Sequence, residues 1–175
     1  SLSLLGIIIN QTTSLRNMIS LKREQIKHNV NLSTQAVGQE LSHDKGNSIV
    51  PNNKRGLVLP EDFSIDIFKP LTIASRFDIE DIRNRINKAF LQNNLKDVKF
   101  EFGIASFDRM GNPVFQKASP GFEAAFEDTT SNYRAYHGLE ALSGTAGENL
   151  SVNEMLVVVI PDIKKLALRS LFWRI

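Results

Sequence analysis

Arg134, Tyr136 and His137 stand within four positions of one another, and a guanidinium, a phenol and an imidazole can together grip a small anionic or polar ligand. The same groups on an exposed strand face would only make salt bridges, and the sequence leaves both readings open. His137 could serve as a general base beside Ser143 or Asp108, but no spacing brings them together. His28 lies among Lys27 and Asn29 and lacks the acidic neighbour expected of a phospho-accepting histidine, so it reads as solvated. With His43 these are the only 3 histidines, and cysteine is absent. Thiol catalysis, iron–sulfur clusters, cysteine zinc sites and disulfides are thereby excluded, and neither a metal site nor a cofactor is expected. The phosphate loop, the dinucleotide turn, the H-E-x-x-H helix and the G-x-S-x-G elbow are missing too. Gly144-Thr145-Ala146-Gly147-Glu148 could cradle an anion, although flanking strands make it read as a hairpin turn. Asn10, Asn31 and Asn149 open N-x-[ST] triplets, which carry no weight on their own.

The chain has 175 residues, 21 Lys+Arg against 19 Asp+Glu, a net charge of +2, 42% hydrophobic and 23% charged residues. That is the balance of one soluble globular domain with an appended helix at most. It is too weakly basic to point to nucleic acid. With no partnered nucleophile, the composition favours a non-enzymatic domain.

The elements that would position these groups can be read from the periodicity. Residues 11–42 lack proline and place Leu15, Met18, Ile19, Ile26, Val30, Val37 and Leu41 at helical spacing. Thirty-two residues at 1.5 Å each make a rod of roughly 48 Å. A narrow stripe on so long a helix suggests a two-helix seam, with Leu15, Ile19, Ile26, Val30 and Val37 as the dimer contacts. The other reading is a helix lying along its own domain. Residues 43–60 read as a long loop, followed by an apolar patch at Phe63, Ile65, Ile67 and Phe68. Asp78 caps a helix that fades near Asn93-Asn94. From Val98 the period falls to two, and Asp108-Arg109-Met110-Gly111-Asn112 turns the chain into a returning strand. Tyr133–Leu142 and Met155–Ile160 complete four strands joined by hairpins, with room for a fifth, and Pro161-Asp162 starts the last helix. The expected fold is α+β, with helices packed on one antiparallel sheet.

The two ends are apolar. Ser1–Ile9 is under half of the roughly 20 residues a membrane span needs. It reads either as a core element or as the outer end of a truncated span. At the other end Leu166–Ile175 carries Trp173, suited to a lipid headgroup boundary, while Arg169 and Arg174 argue against deep burial in lipid. The ends together suggest a loop domain excised between two spans.

Several stretches resemble the extracytoplasmic part of bacterial membrane sensor histidine kinases. They are Ser3-Leu4-Leu5-Gly6-Ile7-Ile8 with Gln11, Leu21-Lys22-Arg23-Glu24-Gln25-Ile26, Asn29-Val30-Asn31, Val98–Ile104, Val158–Asp162 and Leu166–Trp173, with Phe107-Asp108 and Gly111-Asn112 as a D-x-x-G hairpin. The resemblance implies a periplasmic PAS-like or Cache-like sensor domain of an inner-membrane protein. Residues 1–10 would end a membrane span, 11–42 form a signalling and dimer helix, 43–162 the sensor domain, and 163–175 a helix toward a second span. It further implies a homodimeric parent in a two-component phosphorelay, with phospho-acceptor helix and ATP-binding domain beyond Ile175. This fragment would have no enzymatic activity and would transmit a small-molecule or protein signal. The alternatives are the sensor domain of another membrane receptor, a stand-alone periplasmic binding or scaffolding protein, or, last, a small hydrolase using His137.

Overall fold

The computed structural model describes residues 2–44, 72–108, 110–140 and 153–172. Its first element, α1 (Leu2–His43), is a single helix of 42 residues, about 63 Å long at 1.5 Å per residue. It runs without interruption through the change from apolar to polar residues at Asn10. The Thr12 and Thr13 hydroxyls donate to the carbonyls of Ile8 and Ile9 at 2.8 and 2.9 Å, so the polar residues that mark the composition change stay inside the helix.

The helix has two regimes. From Ile26 to Leu41 it is docked, with Ile26, Val30, Val37 and Leu41 buried in the core. Before Ile19 it projects from the domain, and Leu4, Leu5, Ile7, Ile8, Ile9 and Leu15 are exposed. This corrects most of the expected dimer contacts. Ile26, Val30 and Val37 are spent inside the chain's own core, Ile19 packs at its margin, and only Leu15 stays open. Among the described residues no helix is long and apolar enough to cross a membrane.

α2 (Ile73–Arg76) is one short turn, and α3 (Ile79–Gln92) follows it. α3 ends where the asparagines predict. Asn94 takes a left-handed φ of 58°, and the Leu95 amide donates to the Phe90 carbonyl at 2.8 Å. Leu95 is itself buried, which completes a Schellman stop.

The sheet contains β1 (Glu101–Phe107), β2 (Pro113–Ala118), β3 (Tyr133–Leu139) and β4 (Glu154–Ile160), all antiparallel, in the order β2-β1-β4-β3. β1 begins three residues after the point where the alternation starts, and β3 ends at Leu139. A turn at Asp108 joins β1 to β2 as expected. Its carboxylate accepts the amides of Met110 and Asn112, both at 2.8 Å, and Gly111 supplies a φ of 82°. The four strands are not a run of hairpins, however. Between β2 and β3 the chain forms α4 (Phe122–Glu127) and crosses to the opposite edge, so the strongly apolar β4 sits in the centre against β1. α5 (Ile163–Phe172) closes the described chain. His43, read as the start of a loop, instead ends α1, with Asp44 directly after it; the rest of that loop and the apolar patch (45–71), the Gly144–Glu148 turn, Ser143, Asn149 and Trp173–Ile175 lie outside the described residues.

Alternation sends Phe100, Phe102, Ile104, Leu156, Val158 and Ile160 to one face, where they form the main core under α1, α3 and α5. Val157 and Val159 point the other way and meet Phe122 of α4. The helices are locked together by Arg85, whose guanidinium binds Glu40 and Asp44 of the α1 end at 2.7 Å each and Asp81 of α3 at 3.3 Å. Burial works against this charge, yet the Asp44 hydrogen bond and the three carboxylates hold its pKa above the ordinary value.

Two outcomes test this packing. Leu41→Ala empties a fully enclosed site and should cost about 2–5 kcal/mol in chemical denaturation. The exposed Leu91→Ala should stay within about 0.5 kcal/mol. Hydrogen bonds from Asn112, Met110 and Gly111 hold the Asp108 carboxyl below its ordinary 3.8. The turn's contribution is therefore full above 3.8 and is lost as pH falls through the lower folded value. An NMR titration of the Asn112 amide should show that midpoint below 3.8.

Candidate functional site

β3 carries the three residues singled out for ligand binding, and its pleat divides them. Tyr133, Ala135, His137 and Leu139 share the face toward α1, whereas Arg134 and Tyr136 lie on the face toward α4. The trio therefore does not form one grip. The signal was present in the sequence, because neighbouring residues on a strand always diverge.

His137 is a packing residue. A Cβ placed on Gly38 of α1 would lie 2.1 Å from His137 Cδ2 and 2.9 Å from Cγ, so the helix backbone rests directly against the imidazole. One turn on, the Ser42 hydroxyl accepts the Glu140 amide at 3.0 Å. Two turns earlier, the Tyr133 hydroxyl donates to Asn31 at 2.9 Å, with Lys27 5.6 Å above its ring. β3 thus runs alongside α1 from Asn31 to Ser42, and polar contacts fix its register.

Arg134 is spent in a similar way on the other face. Its guanidinium stacks 4.2 Å from the centre of the Phe126 ring and donates to the Phe126 carbonyl, tying down the last turn of α4. Phe126 also stacks on Phe122 at 5.3 Å, and Phe115 of β2 meets both edge-on at 5.1 and 4.8 Å. α4, like the short α2, is an element the sequence reading missed. Its signal is the Phe122/Phe126 pair, four residues apart after Pro120-Gly121. Gly103 of β1 makes room for it, since a Cβ there would stand 3.0 Å from the Phe122 ring.

α4 covers only part of this face. Phe115 at its edge and Tyr136 and Phe107 beyond it are exposed, and Met155 is half-buried. The arrangement is an aromatic, weakly polar surface beside an engaged cation. It suits noncovalent recognition of a partly apolar group. It offers no nucleophile activated by a base, because His137 is on the far side of the sheet. Among the described residues no three His, Asp or Glu side chains cluster to hold a metal ion.

A second polar feature was also missed. Glu154, at the start of β4, is only 6% exposed, and its carboxylate accepts the amides of Ile73 at 2.6 Å and Ala74 at 3.0 Å. The Thr72 hydroxyl takes the Ser75 amide at 3.2 Å, so the first three amides of α2 each meet a side-chain acceptor. Burial pulls the nearby Arg76 guanidinium pKa down, opposed by Glu154 and Asp44. This is a structural clasp between α2 and the sheet. Nothing local in the sequence pairs residues this far apart.

Comparison with protein-family models, with curated proteins and with solved structures gives no match for this chain.

The Gly38–His137 approach gives a sharp test. Gly38→Ala should destabilise the fold by about 1–3 kcal/mol in equilibrium unfolding, because the ring must leave its position. Adding His137→Ala should recover part of that loss. A Gly38→Ala variant as stable as the parent would show that α1 does not seat on β3 here.

Proposed function

We propose that this chain is the signal-sensing domain of a membrane-anchored receptor of the sensor histidine kinase type, working as a homodimer outside the cytoplasm. The observation that carries the reading is the start of α1. Leu4, Leu5, Ile7, Ile8 and Ile9 are each more than half exposed, spread over more than half the circumference of a helix that has left its domain. Among the described residues nothing of the chain's own domain covers them, and a lipid phase would.

The placement of α5 supports the same reading. β4 ends at Ile160, paired with Tyr133 and so level with Asn31 of α1. β3 already occupies α1 from Asn31 onward, and α5 buries Ile163 and Ala167 in the core shared with α1. α5 therefore runs back along α1 toward its projecting end, and the entering and leaving helices lie side by side. A shift of the sheet would move both together. A signal favouring one arrangement about tenfold supplies ~1.4 kcal/mol, within the usual range of allosteric coupling. The aromatic face beside α4 is the surface on which a small molecule or partner protein would act, with Tyr136 available and Arg134 positioning α4. In this reading the fragment performs no chemistry itself.

Vesicle flotation tests the anchor. The chain should float with phospholipid vesicles, and an Ile7→Lys/Ile8→Lys variant should remain at the bottom with an unchanged far-UV circular dichroism spectrum. A parent chain that stays in the bottom fraction would overturn the anchor and leave a free-standing binding or scaffolding domain.

A further inference from the structure

The docked face of α1 leaves an opposite face, and that face has a regular pattern of its own. Its first half is Leu4, Ile7, Gln11, Ser14, Met18 and Leu21, spaced alternately by three and four. The same phase continues without a slip through Gln25, His28, Leu32, Gln35 and Gln39. All of these are exposed. None is Lys, Arg, Asp or Glu, although α1 carries Arg16, Lys22, Arg23, Glu24, Lys27 and Glu40, every one off this line. The buried Ile26, Val30, Ser33 and Val37 each precede a stripe residue by two positions, about 200° around the helix. The stripe therefore points directly away from the domain.

We infer that this stripe is the seam of a parallel, in-register two-helix coiled coil with a second copy of the chain. The occupant follows from the pattern. An alternating three-four repeat held over five heptads without charge is the spacing that keeps one helix facing another. The polarity gradient then chooses both partner and direction. In a parallel pair the apolar layers at Leu4, Ile7, Met18 and Leu21 meet themselves, and Gln25, Gln35 and Gln39 hydrogen-bond to their own copies. An antiparallel pair would set Leu4 and Ile7 against Gln39 and Gln35, leaving amides against hydrocarbon. Ile8 and Leu15 flank the seam and widen its apolar end. A strip from Leu4 to Gln39, about 52 Å long and about 10 Å wide, covers roughly 500 Å² per copy before side-chain relief is counted, so the pair reaches the roughly 1,000 Å² of a specific interface. Polar layers within the seam fix register at some cost in affinity.

The inference deepens the sensor reading, and rests on it for the requirement that both copies enter one membrane in the same direction. It also replaces the contacts first expected on α1, since Ile26, Val30 and Val37 lie on the far side of the helix.

The absence of cysteine makes the test clean. Single cysteines at Met18 and Leu21 should cross-link the chain into disulfide dimers on mild oxidation. Cysteine at Ser20, also exposed but off the stripe, should not. In an equal mixture of Leu4→Cys and Gln39→Cys chains, 4–4 and 39–39 products should form without the mixed 4–39 product. Leu21→Asp should weaken dimerisation in sedimentation equilibrium by at least about tenfold, with the circular dichroism spectrum retained. Equal cross-linking at 18, 20 and 21, no cross-linking at 18 and 21, or a dominant 4–39 product would each overturn the seam. A chain that cross-links as described yet fails to float with vesicles keeps the seam and loses only the anchor.

Discussion

The fold depends on how closely one helix can lie on one strand. α1 reaches β3 because Gly38 has no side chain where the His137 ring sits, and that approach puts Val30, Val37 and Leu41 into the sheet's hydrophobic face. Everything else on this face is arranged around that contact. α3 fills the space beside α1 and is bound to it by Arg85, while α5 occupies the stretch of α1 below the sheet. Without the seated helix, Phe102, Ile104, Leu156 and Val158 would lie open to water along the length of the sheet.

A helix held on one side must still account for its other side. α1 meets this with two patterns that share 42 residues and scarcely overlap. The inward residues include Ser33 and Thr34, buried with their hydroxyls turned back to the carbonyls of Asn29 and Val30 at 2.8 Å, which lets small polar side chains line a close contact at little cost. The outward residues are uncharged and regular. A helix designed only for its own domain would carry Lys and Glu there, as the first turn of α3 carries Glu80 and Asp81.

Much of this was legible in the sequence, and the failures have physical causes. The α3 boundaries followed from Asp78, which stands at the N-cap position although its side chain makes no capping bond, and from the asparagine pair, and the β1–β2 turn followed from Asp108 and Gly111, because helix ends and turns are decided by a few local residues. The α1 periodicity was equally visible, but it could not say which stripe faced the domain. Ile26, Val30 and Val37 are the more apolar line, so they were assigned to the dimer when the domain had the stronger claim on them. The binding trio failed for a simpler reason: His137 follows Tyr136 directly, and a strand sends consecutive side chains to opposite faces. α4 left only the Phe122/Phe126 pair as a sign, and the Glu154 clasp was out of reach. The first is a helix of 6 residues held by Phe115 and Arg134, which lie on the strands either side of it. The second joins residues 81 positions apart.

The central claim is that α1 serves the domain with one face and a second copy of the chain with the other. Amide hydrogen exchange along α1, measured at two protein concentrations well separated around the dimer midpoint, tests it most directly. Residues 26–42 should be strongly protected at both concentrations, because the chain's own core holds them. Residues 4–21 should be protected only at the higher one, because only a partner orders them. Fast exchange over 26–42, or protection over 4–21 that does not change with concentration, would contradict the account.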